Sequence, residues 1–198
     1  MEKLLSLREE AIACQRCNLR GNAQQVVFGE GDENALLMLI GEGPGAEEDR
    51  QGRPFVGAAG ELLNKILEAS GISREEVYIG NVVKCRPPNN RVPTKDEVAA
   101  CRFFLDRQIE IIKPQIIVCL GATAAQALIG PEVRITKIRG IWHEINGVKI
   151  MPTFHPAALL RDPSKKRPVW EDFKAVRDVY LTLKQQKETE DFEQLQLF

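Results

Sequence analysis

The sequence contains no long apolar run. Its 198 residues include no stretch approaching the roughly 18 apolar residues that a membrane-spanning helix needs. The opening segment MEKLLSLREEAIAC carries charges throughout, which excludes the apolar core of a signal peptide. We therefore expect a soluble, cytoplasmic protein with no membrane partner.

The sequence also has almost no net charge. Lys and Arg total 27 against 28 for Asp and Glu, which leaves a formal net charge of -1. This balance excludes a global electrostatic attraction to nucleic acid, so any DNA contact must come from local clusters of basic residues. Histidine is scarce as well, because only His143 and His155 are present.

Four short β-rich runs alternate with segments of helical patterning. The runs cover residues 35–41, 77–83, 115–121 and 148–154. Apolar residues recur at helical spacing between the first two runs and again before the third, as in crossover helices. The pattern predicts an α/β fold, a three-layer α/β/α sandwich with a central four-stranded parallel sheet. We expect residues 1–184 to form this one domain and the polar residues 185–198 to form a flexible tail.

The helix before the third run has recognisable end signals. Thr94 is followed three residues later by Glu97, the spacing of a capping box. Pro114 cannot continue a helix and is expected to close it.

Five cysteines in a chain of this kind do not suggest disulfides, since reducing compartments keep thiols free. Cys14 and Cys17 form a C-x2-C pair, and Cys85 and Cys101 follow with fifteen residues between them. Four thiolates suit either a tetrahedral zinc ion or a 4Fe-4S cluster, and the spacing does not choose between the two. Four unrelated buried thiols are the third alternative. Cys119, inside the apolar run IIVCLG, is interpreted as a core residue.

Distinctive segments follow the strand runs, where open parallel sheets place their ligands. The first run leads into GEGPGAEED at residues 41–49, which lacks the Lys-Ser/Thr of a P-loop and whose carboxylates would repel phosphate. The next segment, GRPFVG, places Phe55 between glycines before a helix, where its ring is able to stack on a flat ligand. The second run ends in GNVVKCRPPNNR and the fourth in PTFHPAALL.

Together with ITKIRG and the four cysteines, these segments resemble family 4 uracil-DNA glycosylases, in the same order from about Cys14 to Leu160. The resemblance implies an enzyme of base excision repair that flips deoxyuridine out of DNA and hydrolyses the N-glycosidic bond, leaving an abasic site. It also implies a 4Fe-4S cluster on Cys14, Cys17, Cys85 and Cys101. Two rival functions stay open: a catalytically silent DNA-binding module on the same fold, and an electron-transfer protein, although no flavin or haem partner site is suggested.

Three side chains acquire roles from this resemblance. Phe55 is expected to stack on the flipped base. Asn81 is expected to donate to uracil O4 and accept from N3-H, a pairing that cytosine reverses. His155 is expected to face uracil O2 and stabilise the charge on the departing base. The alternatives are a core phenylalanine for Phe55 and a strand-end turn residue for Asn81, while His143 is interpreted as a turn or surface residue.

The group that positions the attacking water is the weakest part of the resemblance. Better-known uracil glycosylases place Asp at the position of Gly43, which has no side chain and is expected only to contact the substrate. Carboxylates assist glycoside cleavage, so Glu42 is the first candidate and Glu48 the second, with Glu47 near the substrate. For each of them the alternative is a solvated acidic loop that caps the following helix.

DNA contacts are assigned to basic residues near the strand ends, where neutralised phosphates would make binding salt-sensitive. Leu160, with Leu159 beside it, is a candidate wedge for the vacated base stack, and its alternative is a core or surface role. The predicted backbone contacts are Lys84, Arg86, Asn90, Arg91, Lys137, Arg139, Arg161 and the basic run 165–167.

The last five residues, QLQLF, resemble the pentapeptide by which bacterial DNA polymerases and repair proteins dock into the beta sliding clamp. Gln194, Leu195, Leu197 and Phe198 would be its anchors, and the preceding polar segment a tether. A frayed terminal helix turn is the alternative. We otherwise expect a monomer associated with the nucleoid.

Overall fold

A mixed sheet lies at the centre of the computed structural model, which describes residues 2–195. Within that range the sheet has six strands, in the order β1-β3-β2-β4-β6-β5. β2, β3, β4 and β6 are parallel, which confirms the predicted parallel core, and the two antiparallel edge strands β1 and β5 were not predicted. The strands are β1 (Glu30–Gly31), β2 (Leu37–Gly41), β3 (Tyr78–Asn81), β4 (Ile116–Leu120), β5 (His143–Ile145) and β6 (Val148–Thr153).

Helices cover both faces of the sheet, because the side chains of each central strand point alternately to opposite sides. Met38 and Ile40 of β2 belong to one hydrophobic core with α1, α5 and α6, while Leu37 and Leu39 belong to a second core with α4, α8 and α9. The predicted three-layer α/β/α sandwich is therefore confirmed. The helices are α1 (Glu2–Ala13), α2 (Leu19–Asn22), α3 (Ala46–Gln51), α4 (Ala58–Ala69), α5 (Lys95–Ile112), α6 (Ala122–Leu128), α7 (Ile135–Ile138), α8 (Pro156–Arg161) and α9 (Lys166–Leu195).

The predicted capping box at the start of α5 is confirmed. The Glu97 amide donates to Thr94 Oγ1 at 3.2 Å, and the Thr94 amide donates to Glu97 Oε2 at 2.8 Å. The helix ends at Ile112, and Lys113 turns into the left-handed conformation with φ 53° directly before Pro114.

The last helix continues further than the sequence suggests. α9 extends to Leu195, so residues 185–195 are helical where a flexible tail was expected. The domain boundary at residue 184 stays a prediction, and Leu197 and Phe198 of the clamp-like pentapeptide lie outside the described residues. Along residues 2–195, each helix is too short or too polar to cross a membrane.

Candidate active site and cysteine cleft

A pocket of about 440 Å³ opens at the carboxyl ends of the parallel strands, and we call it the strand-end pocket. The loop after β2, the ends of β3 and β4 and the connection after β6 all contribute to it, as expected for parallel topology. It brings together most of the residues that the sequence singles out: Glu42, Gly43, Glu48, Phe55, Asn81, Asn90, His155 and Arg161. It also includes Pro87 and Val92, which the motifs did not distinguish from their neighbours.

Phe55 and His155 form one wall of the pocket. Their rings are stacked, with centroids 5.6 Å apart and an interplanar angle of 27°. Phe55 is 5% exposed and has a left-handed backbone with φ 51°, a conformation that costs a bulky residue free energy and tends to occur at functional sites. The fold therefore holds the Phe55 ring in place as part of the pocket wall, where a ligand is able to contact it.

Asn81 lies at the end of β3, beside Phe55. It is 1% exposed, and its Oδ1 has no hydrogen-bond partner among the described residues. A buried oxygen without a donor costs about 1–3 kcal/mol, which a ligand N-H group is able to recover. Gly41 makes this arrangement possible, because a Cβ there would lie 2.5 Å from Asn81 Oδ1 and 2.6 Å from Phe55 Cζ.

His155 is held as a neutral imidazole. Its Nδ1 accepts a hydrogen bond from the Ala157 amide at 3.1 Å, where it caps the start of α8. This bond places the remaining proton of the neutral ring on Nε2. Burial and, to a lesser extent, the nearby Arg161 guanidinium together lower the pKa of His155 to about 4, against the opposing effect of Glu48. At neutral pH the ring is thus an uncharged donor.

The carboxylates of the acidic loop have different environments. Glu42 lines the pocket and accepts a hydrogen bond from Thr123 Oγ1 on α6. The side chain of Glu47 instead pairs with Arg50 and Gln51, outside the pocket lining, and these hydrogen bonds lower its pKa to about 2. The side chain of Glu47 is thus directed to its own helix rather than to the pocket.

Glu48 accepts three backbone hydrogen bonds. Oε1 receives the amides of Val56 at 3.0 Å and Gly57 at 2.9 Å, and Oε2 receives the amide of Gly45 at 3.2 Å. This carboxylate joins the start of α3 to the segment that precedes α4. Because Val56 directly follows Phe55, Glu48 fixes the loop that carries the stacking ring.

Gly43 leaves no room for a side chain. A Cβ at this position would lie 2.6 Å from Val83 Cγ2 and 3.7 Å from Cδ of the Pro87 ring. An aspartate here would require Val83 to move, which gives a local steric reason for the residue that the sequence lacks.

The mouth of the pocket carries the predicted DNA contacts. Arg161 is exposed and lines the pocket, and Leu160 beside it is 50% exposed. Arg86 Nε donates to Asn90 Oδ1 at 2.8 Å, and Asn90 has a left-handed backbone with φ 54°. Val92, which also lines the pocket, is 64% exposed. Two apolar side chains therefore project to solvent beside basic and amide groups.

Two of the basic residues are engaged inside the protein. Arg139 forms an ion pair with Asp172, which is 3% exposed, and also donates to the carbonyl of Pro168 at 2.6 Å. Lys84 is 2% exposed, so the expectation that it contacts a DNA phosphate is wrong. Burial lowers the pKa of Lys84 to about 8, while the neighbouring Cys101 opposes the shift. Its position was not predictable, since its partners come from other elements.

Four free cysteines line one small cleft between the end of α1, the segment after β3 and α5, which we call the cysteine cleft. They are Cys14, Cys17, Cys85 and Cys101. Backbone amides donate to two of the sulfurs, from Arg16 to Cys14 at 3.4 Å and from Lys84 to Cys101 at 3.3 Å. Burial, together with the adjacent cysteines, raises the pKa of Cys85 to about 12.

No group of three or more His, Cys, Asp or Glu side chains within residues 2–195 is arranged to hold a single metal ion. A 4Fe-4S core is wider than one ion and is bound by one thiolate on each of its four irons. The donor set of the cleft, four thiols with amide N-H groups on the sulfurs, fits that larger group in its chemistry. Cys119 is fully buried in the sheet, as expected for a core residue.

Comparisons with known proteins agree with the geometry. A sequence model of the uracil DNA glycosylase superfamily matches residues 28–174. The chain is 51% identical over 183 residues to a type-4 uracil-DNA glycosylase of Thermotoga maritima, covering 89% of this chain and 94% of that one. It is 45% identical over 193 residues to one of Sulfurisphaera tokodaii, covering 93% and 88%. With one of Archaeoglobus fulgidus it shares 42% over 187 residues, covering 90% and 94%.

Proposed function

Because the chain belongs to the uracil DNA glycosylase superfamily, we propose that it is a uracil-DNA glycosylase of DNA repair, which hydrolyses the bond between uracil and deoxyribose. One observation carries this function to particular residues. An unpaired buried amide oxygen, a stacked aromatic ring and a neutral imidazole with an Nε2 proton surround one pocket at the strand ends. These are the three groups that recognition of a flat, polar pyrimidine requires.

Recognition begins when deoxyuridine leaves the duplex, since the N-glycosidic bond of a stacked base is inaccessible. The ring of Phe55 stacks on the extruded base, a contact worth about 1–3 kcal/mol in comparable systems. Asn81 Oδ1 then accepts from uracil N3-H, and its Nδ2 donates to O4. Cytosine offers an acceptor and a donor in the reverse order, so it is rejected.

Bond cleavage places negative charge on the departing uracil, chiefly on O2 and N1. The Nε2 proton of His155 donates to O2 and stabilises this charge without leaving the imidazole. The C1′–N1 bonding electrons leave with uracil, and a water oxygen forms the new bond to C1′. Glu42, held by Thr123, accepts the proton of that water and stabilises the cationic sugar. Glu48 acts indirectly in this scheme, through the loop that carries Phe55.

Backbone contacts come from the rim of the pocket. Arg161 and Arg86 neutralise phosphates, and Asn90 assists by orienting Arg86. Leu160 fills the space that the extruded base leaves in the stack. Arg139 forms an ion pair with Asp172 and contacts a phosphate with the N-H groups that this pair does not use.

Cys14, Cys17, Cys85 and Cys101 hold a 4Fe-4S cluster in this proposal. The cluster supplies a covalent cross-link that joins α1, the segment after β3 and α5. The expected signs are a brown protein and about four irons and four sulfides per chain. A colourless, iron-free protein with full uracil excision would contradict the cofactor but leave the enzyme intact.

The last residues are a separate proposal. We assign Gln194, Leu195, Leu197 and Phe198 to docking on a beta sliding clamp, which would concentrate the enzyme on DNA in the nucleoid. Deletion of residues 194–198 is expected to abolish clamp binding and to leave excision from a free oligonucleotide unchanged. Equal clamp affinity with and without these residues would remove the idea.

The function is tested by uracil release from an oligonucleotide, with Asn81→Asp as the diagnostic variant. An ionised carboxylate at this position accepts at both oxygens and cannot donate to uracil O4, so excision of uracil falls strongly and discrimination against cytosine weakens. Asn146→Asp, on the exposed turn between β5 and β6, is the matched control. If the wild type binds uracil-containing DNA but releases no base, the silent DNA-binding module is the better description.

A further inference from the structure

Lys84 is a buried cation that lies between the strand-end pocket and the cysteine cleft. Its side chain is 2% exposed, and it lines the cysteine cleft together with the thiols. Burial of an ammonium group is expensive unless an opposite charge compensates it. A lysine in this position therefore requires a partner.

The hydrogen bonds of its ammonium group do not supply that charge. Nζ donates to the carbonyl oxygen of Asn81 at 2.8 Å and to Gln108 Oε1 at 2.6 Å, and both acceptors are neutral. Among residues 2–195, the hydrogen-bond acceptors of Nζ thus include no carboxylate. Gln108 is itself fixed, because its Nε2 donates to the carbonyl of Phe28 and to Tyr78 Oη.

The cysteine sulfurs that line the cleft with Lys84 would be negatively charged as ligands of the proposed cluster. The backbone amide of Lys84 donates to Cys101 Sγ at 3.3 Å, and Cys85 is the next residue along the chain. Four thiolates carry more negative charge than a 4Fe-4S core balances, so the filled cleft is an anion.

The other end of the interaction reaches the strand-end pocket. The carbonyl that Lys84 binds belongs to Asn81, whose side-chain oxygen faces the pocket unpaired. The position of this carbonyl fixes the peptide plane at the end of β3. A shift of Lys84 thus moves the residue that reads the base.

We propose that Lys84 is a positioning residue that couples the two sites: its ammonium group balances the charge of the thiolate-bound cluster and holds the backbone of Asn81. The proposal rests on the 4Fe-4S cluster assigned above. It gives the cluster an electrostatic path to the base-reading amide through four residues of chain.

Lys84→Met tests both contacts, because methionine keeps the length of the side chain and removes its charge. Lys149→Met, an exposed position on β6, is the matched control. Three quantities are measured on each purified holoenzyme: the half-life of the visible cluster absorbance under an iron chelator, kcat and KM for uracil-containing DNA, and the affinity for undamaged DNA. We expect Lys84→Met to lose its cluster several-fold faster and to have a lower kcat, with unchanged affinity for undamaged DNA.

Gln108→Glu separates the two contacts and serves if Lys84→Met does not fold. It places a carboxylate next to Nζ, which compensates the ammonium charge while the bond to Asn81 persists, and it also removes the Nε2 donor to Phe28 and Tyr78. We expect faster cluster loss with kcat close to that of the wild type. A lysine that merely fills space would change thermal stability without changing chelator sensitivity in the folded protein.

The outcomes are distinguishable from failure of the enzyme assignment. If the wild type contains the cluster and excises uracil, but both variants match its cluster half-life and Lys84→Met matches its kcat, the coupling is overturned. If the wild type excises uracil without iron, the charge balance is overturned together with the cluster. Absence of uracil excision in the wild type contradicts the enzyme and leaves the cluster half-life as the test of the charge contact.

Discussion

The strand-end pocket and the cysteine cleft are four residues apart along the chain, at Asn81 and Cys85, yet they hold their buried polar groups differently. In the pocket, backbone amides of the protein itself orient His155 and Glu48. In the cleft, burial raises the pKa of the Cys85 thiol, and the ammonium group of Lys84 donates to two neutral acceptors. The protein thus fixes the side chains of the pocket before a ligand arrives and leaves Asn81 Oδ1 for that ligand, whereas the proposed cluster would complete the cleft.

This difference predicts different consequences of mutation. Residues of a preorganised pocket act mainly on the rate of the reaction, because the surrounding fold already satisfies their other bonds. Residues of a cleft that a metal group completes act first on folding, since binding free energy there is folding free energy. Each of the following experiments measures both rate and stability for that reason.

The largest effect on rate is expected for His155→Ala. Loss of a donor to the developing anion lowers kcat by about 10²–10³-fold, as for other oxyanion donors. Stability changes by only about 1 kcal/mol, the value of one helix cap. The measurements are single-turnover uracil release and urea unfolding.

The control for this variant is His143→Ala, which removes the second histidine of the chain; His143 lies on the edge strand β5. It is expected to keep the wild-type rate. Equal rate losses in the two variants would mean that His155 acts through the fold and not on the departing base.

The largest effect on stability is expected for Cys85→Ser. A serine hydroxyl is a poor ligand for iron, so the variant loses iron and visible absorbance and several kcal/mol of folding free energy. Cys119→Ala removes a sulfur from the core of the sheet and is expected to keep its iron. Iron content and thermal unfolding of both proteins make the comparison, and a Cys85→Ser protein with full iron content would remove this residue from the ligand set.

A smaller effect distinguishes two adjacent carboxylates. Glu48→Gln replaces an acceptor of three amides by a group that cannot accept at both ends, so we expect a loss of about 1–3 kcal/mol. Glu47→Gln breaks only an exposed pair with Arg50 and is expected to stay within about 0.5 kcal/mol of the wild type. Urea unfolding measures both, and uracil release should slow only in Glu48→Gln, through the Phe55 loop.

Much of the central fold was predictable from local patterns. The four parallel strands are continuous apolar runs because both of their faces are buried, and the Thr94–Glu97 cap is a short-range motif. The two edge strands were not predictable, since β1 has two residues and β5 three, and their pairing depends on neighbours distant in sequence. The sequence likewise contains no signal for the extent of α9.

The site divides in the same way. Resemblance identified the residues that meet in the pocket, because motifs after successive parallel strands converge at one edge. The resemblance did not identify the hydrogen-bond partners of nearby residues. Glu48 accepts from amides eight and nine residues away, and Lys84 donates to Gln108 on α5. Charge alone suggested a phosphate contact for Lys84, but burial is a property of the assembled layers.

The last and smallest effect is a dependence of stability on pH. The folded state lowers the pKa of His155 from its ordinary 6.5 to about 4. Below about pH 6.5, His155 binds a proton in the unfolded chain but stays neutral in the folded chain, so the free energy of unfolding falls as the pH drops toward 4. It then levels off, because both states are protonated. Paired carboxylates such as Glu97, whose pKa is about 2, lose their contribution below the usual carboxyl range, at lower pH.

The window between about pH 6.5 and pH 5 therefore reports mainly on His155. Urea unfolding at several pH values should give a slope for the wild type and for His143→Ala that is absent from His155→Ala. Uracil release should show no step near pH 6.5, because the imidazole stays neutral above its lowered pKa and the Ala157 amide occupies Nδ1. A rate that titrates near pH 6.5 in the wild type but not in His155→Ala would contradict this expectation. It would mean that the His155 ring gains a proton in the working pH range. The pocket would then be less preorganised than its comparison with the cysteine cleft requires.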